Sequence, residues 1–169
     1  MNRRAFLSGA AALLATPLAA CQPTLPSKPR ELRVLMSTNE PLMTNFFGEV
    51  LKKEIGDTYV LRVAETPDAK GLMDTAQSYK ADIFILILNN MLFPTNSPPE
   101  ARIEKALNVV SILKDKYRRP IIALAGWPKD QGFSEKAKLA GATFFFELPV
   151  KAQEFREAIN KCLKMPAED

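Results

Sequence analysis

Histidine is missing from all 169 residues of this chain, and that absence removes a large share of the possible chemistry. Ser-His-Asp and Cys-His catalysis both need an imidazole as base. His-ligated metals and phosphohistidine transfer are excluded with them. Cysteine is nearly as scarce. Cys21 and Cys162 are the only two, too few to build a thiolate metal site. No Gly-x-Ser-x-Gly elbow presents a serine nucleophile. The formal net charge is only +4, which is no nucleic-acid footprint.

What the chain does contain is most distinctive at its start. Arg3 and Arg4 precede Ala5–Ala15, an uncharged and mostly apolar run. Thr16 and Pro17 close it, and Leu18-Ala19-Ala20-Cys21 follows. A basic head, an apolar stretch too short to span a bilayer and small residues before a cut site make an export signal. Leu18–Cys21 resembles the lipobox of bacterial lipoproteins, which implies cleavage between Ala20 and Cys21 and lipidation of the Cys21 thiol. Arg3-Arg4-Ala5-Phe6-Leu7 resembles the twin-arginine export motif, which implies a domain that folds before it crosses the membrane. The expected arrangement is a signal peptide over 1–20 and a mature chain lipid-anchored in the cell envelope on the periplasmic side. Gln22, rather than Asp, after the lipidated cysteine favours the outer membrane where one exists, again by resemblance. Two or more acyl chains, at about 0.8 kcal/mol per buried methylene, anchor stably.

Removing the leader takes Arg3 and Arg4 and no acid, so the net charge of +4 falls to about +2. Lipidation of Cys21 leaves Cys162 as the only thiol and forbids an intramolecular disulfide. Residues 21–31 read as a tether. Three prolines between Gln22 and Glu31 favour an extended form that reaches roughly 30 Å. A single folded domain is expected over 32–165, with a tail at 166–169.

From Leu32 onward apolar runs alternate with amphipathic stretches. Strands are expected at Leu32–Met36, Tyr59–Val63, Ile83–Leu88, Pro120–Leu124 and Ala142–Phe146. Ile83–Leu88 is apolar without alternation, as a central parallel strand buried on both faces should be. Helices are expected from Pro41 to Gly56, with Met43, Phe46, Phe47, Val50 and Leu51 on one face; from Thr66-Pro67, a capping hydroxyl with proline in the first turn; after the Asn- and Pro-rich loop Asn89–Pro99; at Ser134–Ala140; and at Lys151–Leu163. Cys162 falls on the inward side of the last helix and reads as packing, not as a reactive thiol. The alternation predicts an α/β fold: a flavodoxin-like, doubly wound, five-stranded parallel sheet of order 2-1-3-4-5. Chemistry in such sheets gathers at the carboxyl ends of the strands.

Over Leu32–Leu163 the chain resembles the receiver domain of bacterial response regulators. The resemblance rests on Arg33-Val-Leu-Met-Ser-Thr-Asn-Glu-Pro41, Ala81-Asp-Ile-Phe-Ile-Leu-Ile-Leu-Asn89, Pro120-Ile-Ile-Ala-Leu124 and Gly141-Ala142 through Leu148-Pro149. It implies an acidic metal-binding pair at Thr38 and Asn39, a phosphoacceptor aspartate at Ile87, a switch hydroxyl at Ala125 and a phosphate-binding lysine at Leu148. Each of these has been replaced. Only the switch aromatic survives, as Phe145. Phosphoryl transfer to a carboxylate needs a nucleophilic oxygen, a divalent cation and an ammonium on the phosphate; Mg²⁺ in such a site depends on carboxylates. The chain is therefore expected to be a degenerate pseudo-receiver with no metal and no cofactor.

The loop after the third strand, Asn89–Pro99, is longer than the family pattern. Its Met91, Leu92 and Phe93, with Trp127, either cover the vanished site or form an apolar contact surface. Three function classes remain open. The first is a non-catalytic protein-interaction module at the envelope, with an unidentified protein partner meeting Phe145, Trp127 and Phe93. The second is a small-ligand binder using the crevice at the strand ends. The third is a hydrolase with Ser37 or Thr38 as nucleophile, which lacks any histidine base. On the first reading Phe145 lies on the face of the sheet opposite Phe144 and Phe146.

Overall fold

The computed structural model describes residues 30–38, 41–88, 98–126 and 132–165. Cys21, Asn39, Phe93 and Trp127 lie outside the described residues, as do the expected signal peptide, most of the tether, residues 89–97 and the tail. The elements follow one another as β1 (Arg30–Ser37), α1 (Pro41–Ile55), a 3₁₀ turn (Gly56–Thr58), β2 (Tyr59–Thr66), α2 (Ala69–Tyr79), β3 (Ile83–Ile87), α3 (Pro99–Tyr117), β4 (Ile121–Ala125), α4 (Phe133–Leu139), β5 (Phe144–Glu147) and α5 (Ala152–Lys164). The strands form one sheet in the order β2-β1-β3-β4-β5, parallel at every pairing. This is the expected flavodoxin-like, doubly wound fold. No helix among the described residues is long and apolar enough to cross a membrane.

Parallel strands joined by helical crossovers carry helices on both faces, so central strands are apolar throughout. All of β3 and β4 is buried accordingly. Alternate side chains enter two separate layers. Leu35, Phe84, Leu86, Ile121 and Ala123 pack in the layer that holds Leu72 of α2, Ala106, Val110 and Leu113 of α3, and Phe133 and Ala137 of α4. Val34, Met36, Ile85, Ile87, Ile122 and Leu124 pack in the layer that holds Phe47 and Leu51 of α1 with Phe155, Ile159 and Cys162 of α5. Asp82 sets where β3 begins: its carboxylate accepts the Arg33 backbone N–H at 2.8 Å, while its own N–H donates to the Arg33 carbonyl at 2.7 Å.

Several boundaries differ from expectation, each for a local reason. β1 starts at Arg30, two residues inside the stretch read as tether, because Arg30 and Glu31 pair with Tyr59 and Val60. β2 continues to Thr66, which pairs with Ser37; sheet pairing claims that residue, and Asp68 caps α2 in its place, its carboxylate accepting from Gly71 N at 2.7 Å. Phe46 is 38% exposed rather than inward. The stripe from Met43 to Leu51 is wider than one helix face can bury, so Phe46 sits at its margin with its ring edge-on to Phe47 at 5.2 Å. β5 begins at Phe144, since Thr143 is spent on Ile121: its N–H donates to the Ile121 carbonyl at 2.8 Å and its hydroxyl accepts from Ile121 N at 3.1 Å. Cys162 is buried as expected, and burial pushes its thiol up to about 12, which keeps it protonated and inert.

Two glycines give opposite predictions. Gly48 lies inside α1 with nothing within 4 Å of an added Cβ, so Gly48→Ala is expected to stabilise by about 0.5–1 kcal/mol. Gly141 stops α4 at φ +108, and a Cβ there would meet Lys114 Cβ at 2.7 Å. Gly141→Ala is expected to destabilise by about 1–3 kcal/mol. Urea denaturation of the two variants beside the parent measures both.

Candidate functional site

The carboxyl ends of the strands bring the expected positions together. β1 ends at Ser37, which pairs with Thr66 on one side and Leu86 on the other. Ile87 pairs with Leu124, and Ala125 with Glu147. Backbone bonds carry the ladder one residue further at three strands: Thr38 N donates to Thr66 O at 3.0 Å, Leu88 N to Leu124 O at 2.7 Å and Leu148 N to Ala125 O at 2.8 Å. Thr38, Ile87, Ala125 and Leu148 therefore crown one end of the sheet, where the receiver resemblance puts them. Asn39 lies outside the described residues.

The crown is apolar and closed where that chemistry needs charge. Ile87 is 0% exposed and belongs to the layer under α1 and α5, with Met36 and Leu124. Thr38 and Ala125 are buried. Leu148 packs against the same layer as Ile87. Two acids stand beside these positions: Glu147 precedes Leu148, and Glu65 ends β2 but one, its carboxylate accepting the Thr44 hydroxyl at 3.1 Å. Acids at that position repel a phosphoryl group that a lysine would hold. Among the described residues, no group of three or more Asp, Glu, Cys or His side chains is arranged to hold a metal.

Ser37 bears on the hydrolase reading. The residue is 0% exposed, and its hydroxyl has no hydrogen-bond partner among the described residues. A nucleophile must reach its substrate and be within hydrogen-bond reach of a base; Ser37 does neither. Nothing in the sequence pattern signalled this, because Ser37 continues an apolar strand and its burial depends on β2 and β3 closing around it.

The three phenylalanines of β5 divide as expected. Phe145 packs with the layer of α2, α3 and α4, its ring edge-on to Phe133 at 5.4 Å. Phe144 and Phe146 lie on the other layer, stacked at 6.5 Å, and Lys161 Nζ is 5.9 Å from the Phe144 ring. All three are half-buried. The Phe133 contact was missed in the sequence because α4 was expected to begin one residue later; the apolar pair Phe133 and Ala137, one turn apart, is the signal that finds it. Leu139, at the end of α4, is 88% exposed. Phe93 and Trp127 lie outside the described residues. At the opposite end of the sheet, a hollow of about 260 Å³ is lined by residues including Arg30, Asp82, Arg119 and Met165.

No family model matches the sequence, and no curated protein sequence matches it. Solved structures do. The signal receiver domain of an HD domain-containing protein from Pseudomonas fluorescens superposes with a TM-score of 0.58 at 20% identity, over 80% of this chain and 96% of that one. A response regulator from Thermotoga maritima gives a TM-score of 0.60 at 13% identity, over 80% and 99%. The receiver domain of NtrX from Brucella abortus gives 0.59 at 16% identity, over 79% and 99%. Strand order, helix placement and these superpositions agree: the chain has a receiver-like fold.

The closed crown makes a prediction. Ile87→Asp places a carboxylate in an apolar layer and is expected to destabilise by several kcal/mol, about 3 or more. Ser37→Ala removes a buried hydroxyl without a partner and is expected to leave stability unchanged or raise it by about 1 kcal/mol. Chemical denaturation of both variants decides whether the strand ends are packed core or a hydrated site.

Proposed function

We propose that this chain is an envelope lipoprotein whose receiver-like domain is a pseudo-receiver: a protein-interaction module in signalling that works without aspartyl phosphorylation, divalent metal or other cofactor. On this reading residues 1–20 are an export signal of the twin-arginine kind, Cys21 carries the lipid on the periplasmic side, residues up to Pro29 are the tether and the domain follows.

One observation carries the reading. At the strand ends, where the fold would assemble phosphoryl chemistry, the acceptor position holds Ile87, sealed in the apolar layer. The neighbouring positions hold Thr38, Ala125 and Leu148, none of which supplies a carboxylate or an ammonium. A lipid anchor outside the cytoplasm fits the same loss, since phosphate donors that draw on ATP work inside. The solved receiver domains of similar fold support a signalling role in the broad sense. The partner is expected to be a protein, meeting the half-buried Phe145 and the exposed Leu139 at the β5 side of the sheet.

Two measurements test the reading. Beryllofluoride or acetyl phosphate with Mg²⁺ is expected to leave the amide NMR spectrum unchanged; shifts clustered at residues 37–39 and 87–90 sink the pseudo-receiver assignment. Radiolabelled palmitate is expected to enter the parent chain in a bacterial host and to be absent from Cys21→Ala; a soluble, unlabelled mature protein sinks the lipoprotein assignment.

A further inference from the structure

The fold gathers basic residues at one end of this domain. Each helix runs antiparallel to the strands, so helix carboxyl termini gather at the amino ends of the strands. Basic residues fill the last turns of α1, α3, α4 and α5, and acidic residues open α3, α4 and α5 at the far end. A cation at a helix carboxyl terminus is favoured by the macrodipole, so each placement is locally ordinary. Their sum is a face with an excess of positive charge.

Six exposed or half-exposed cations define that face: Arg30, Lys53, Lys80, Arg118, Arg119 and Lys164. None of the six has an ion-pair partner among the described residues. The acids at the same end are fewer. Glu31 is paired with Arg62 at 3.0 Å, Asp82 with Arg33 at 3.6 Å and Glu54 with Arg156 at 4.0 Å. Backbone geometry adds a separate observation. Lys80 and Arg118 sit at φ +52 and +51, left-handed positions where glycine is the strain-free residue. Both keep a long cation against that preference. The chain also enters the domain at this end: β1 begins at Arg30, and only the eight residues 22–29 separate it in sequence from Cys21, the expected lipidation site. Fully extended, eight residues reach at most about 28 Å.

We propose that the basic amino end of the sheet docks on the anionic phospholipid surface that holds the anchor, and that the domain stands with its strand carboxyl ends and β5 turned away from the bilayer. Guanidinium and ammonium groups meet phosphodiester headgroups as charge-assisted pairs. The tether makes the contact intramolecular, so a face too weak to bind lipid alone suffices once the chain is anchored. The hollow beside Arg30 and Arg119 opens on the same side. The proposal takes its anchor from the lipoprotein reading, and the test supplies that anchor independently.

The test uses the chain from Cys21 onward, joined through the Cys21 thiol to a maleimide lipid in nanodiscs. Cys162 is buried and does not compete. One set of discs is phosphatidylcholine alone and the other contains about one third phosphatidylglycerol, each with a trace of headgroup-chelated gadolinium. Amide signals at residues 30–33, 80–83 and 118–121 are expected to lose more than half their intensity in the anionic discs and little in the neutral ones, while 65–68 and 147–150 keep theirs. About 0.5 M salt, which shortens the screening length to about 4 Å, roughly half its value at physiological salt, should restore the lost signals. So should the combined Lys80→Glu, Arg118→Glu, Arg119→Glu variant, with the far-end spectrum unchanged as evidence of folding. Equal loss in both discs, loss at the far end, or no loss overturns the proposal; the last outcome with capture of an acidic protein domain by the same face assigns the face to a protein instead. Because the lipid is attached chemically, failure of palmitate labelling in cells leaves this result standing and overturns only the lipoprotein reading.

Discussion

β3 is covered on both sides, by α1 and α5 on one face and by α2 and α3 on the other, and this double cover governs what its last residue can be. A carboxylate at position 87 would need water or a cation to stay charged, because burying an unpaired charge costs far more than any one side chain contributes. Isoleucine has the opposite requirement. Buried fully, it contributes about 1.5–3 kcal/mol, and the apolar layer runs unbroken to the strand end. A site for phosphoryl chemistry and a closed core compete for the same few residues here, and the core holds them. Thr38, Ala125 and Leu148 follow from that choice, since ligands and a lysine around an absent acceptor would be polar groups with nothing to satisfy them.

Ser37 is the residue that this closure leaves least content. Its hydroxyl is buried without a partner among the described residues, at the point where β1 is pinned between Thr66 and Leu86. A single unsatisfied hydroxyl is tolerable against the apolar burial of β3 and β4 on either side. It also marks how completely the neighbouring strands enclose the end of β1, a closure that reaches the position where a serine hydrolase would need an open nucleophile.

The succession of strands and helices was legible because apolar periodicity is a local property: six consecutive apolar residues at Ile83–Leu88 announce a strand buried on both faces, and Gly141 announces a helix stop. What was illegible depended on partners. Thr66 looks like a helix cap until β1 is seen to pair with it, after which Asp68 must serve. Phe46 looks buried until the crowding of the α1 face is known. Phe133 looks like loop until Phe145 lies over it. At the strand ends the identities of Thr38, Ile87, Ala125 and Leu148 were enough to show that these side chains carry no carboxylate and no ammonium. Their burial, and with it the sealed Ser37, required the fold. The gathering of basic residues at one end was likewise invisible along the chain, where lysines and acids alternate; it emerges only when parallel topology gathers every helix terminus of one polarity on one side.

A domain that accepts a phosphoryl group gains charge that can bias two conformations. This one has no such input at Ile87, so on the proposed function any change of state must be driven by differential binding alone. Moving a two-state equilibrium from 1:99 to 99:1 takes about 5.5 kcal/mol of preference for one state. The surface offered for that purpose is the short strand β5, whose Phe145 is already held edge-on by Phe133, an aromatic pair of the kind worth about 0.5–1.5 kcal/mol beyond its burial. A partner that rotated Phe145 outward would forfeit that contact and gain only the part of the ring that is still exposed. The energetics favour a partner that takes the face as it stands. On the proposed function, a domain built this way is a fixed docking surface, and its regulation would belong to whatever controls the partner's access to it.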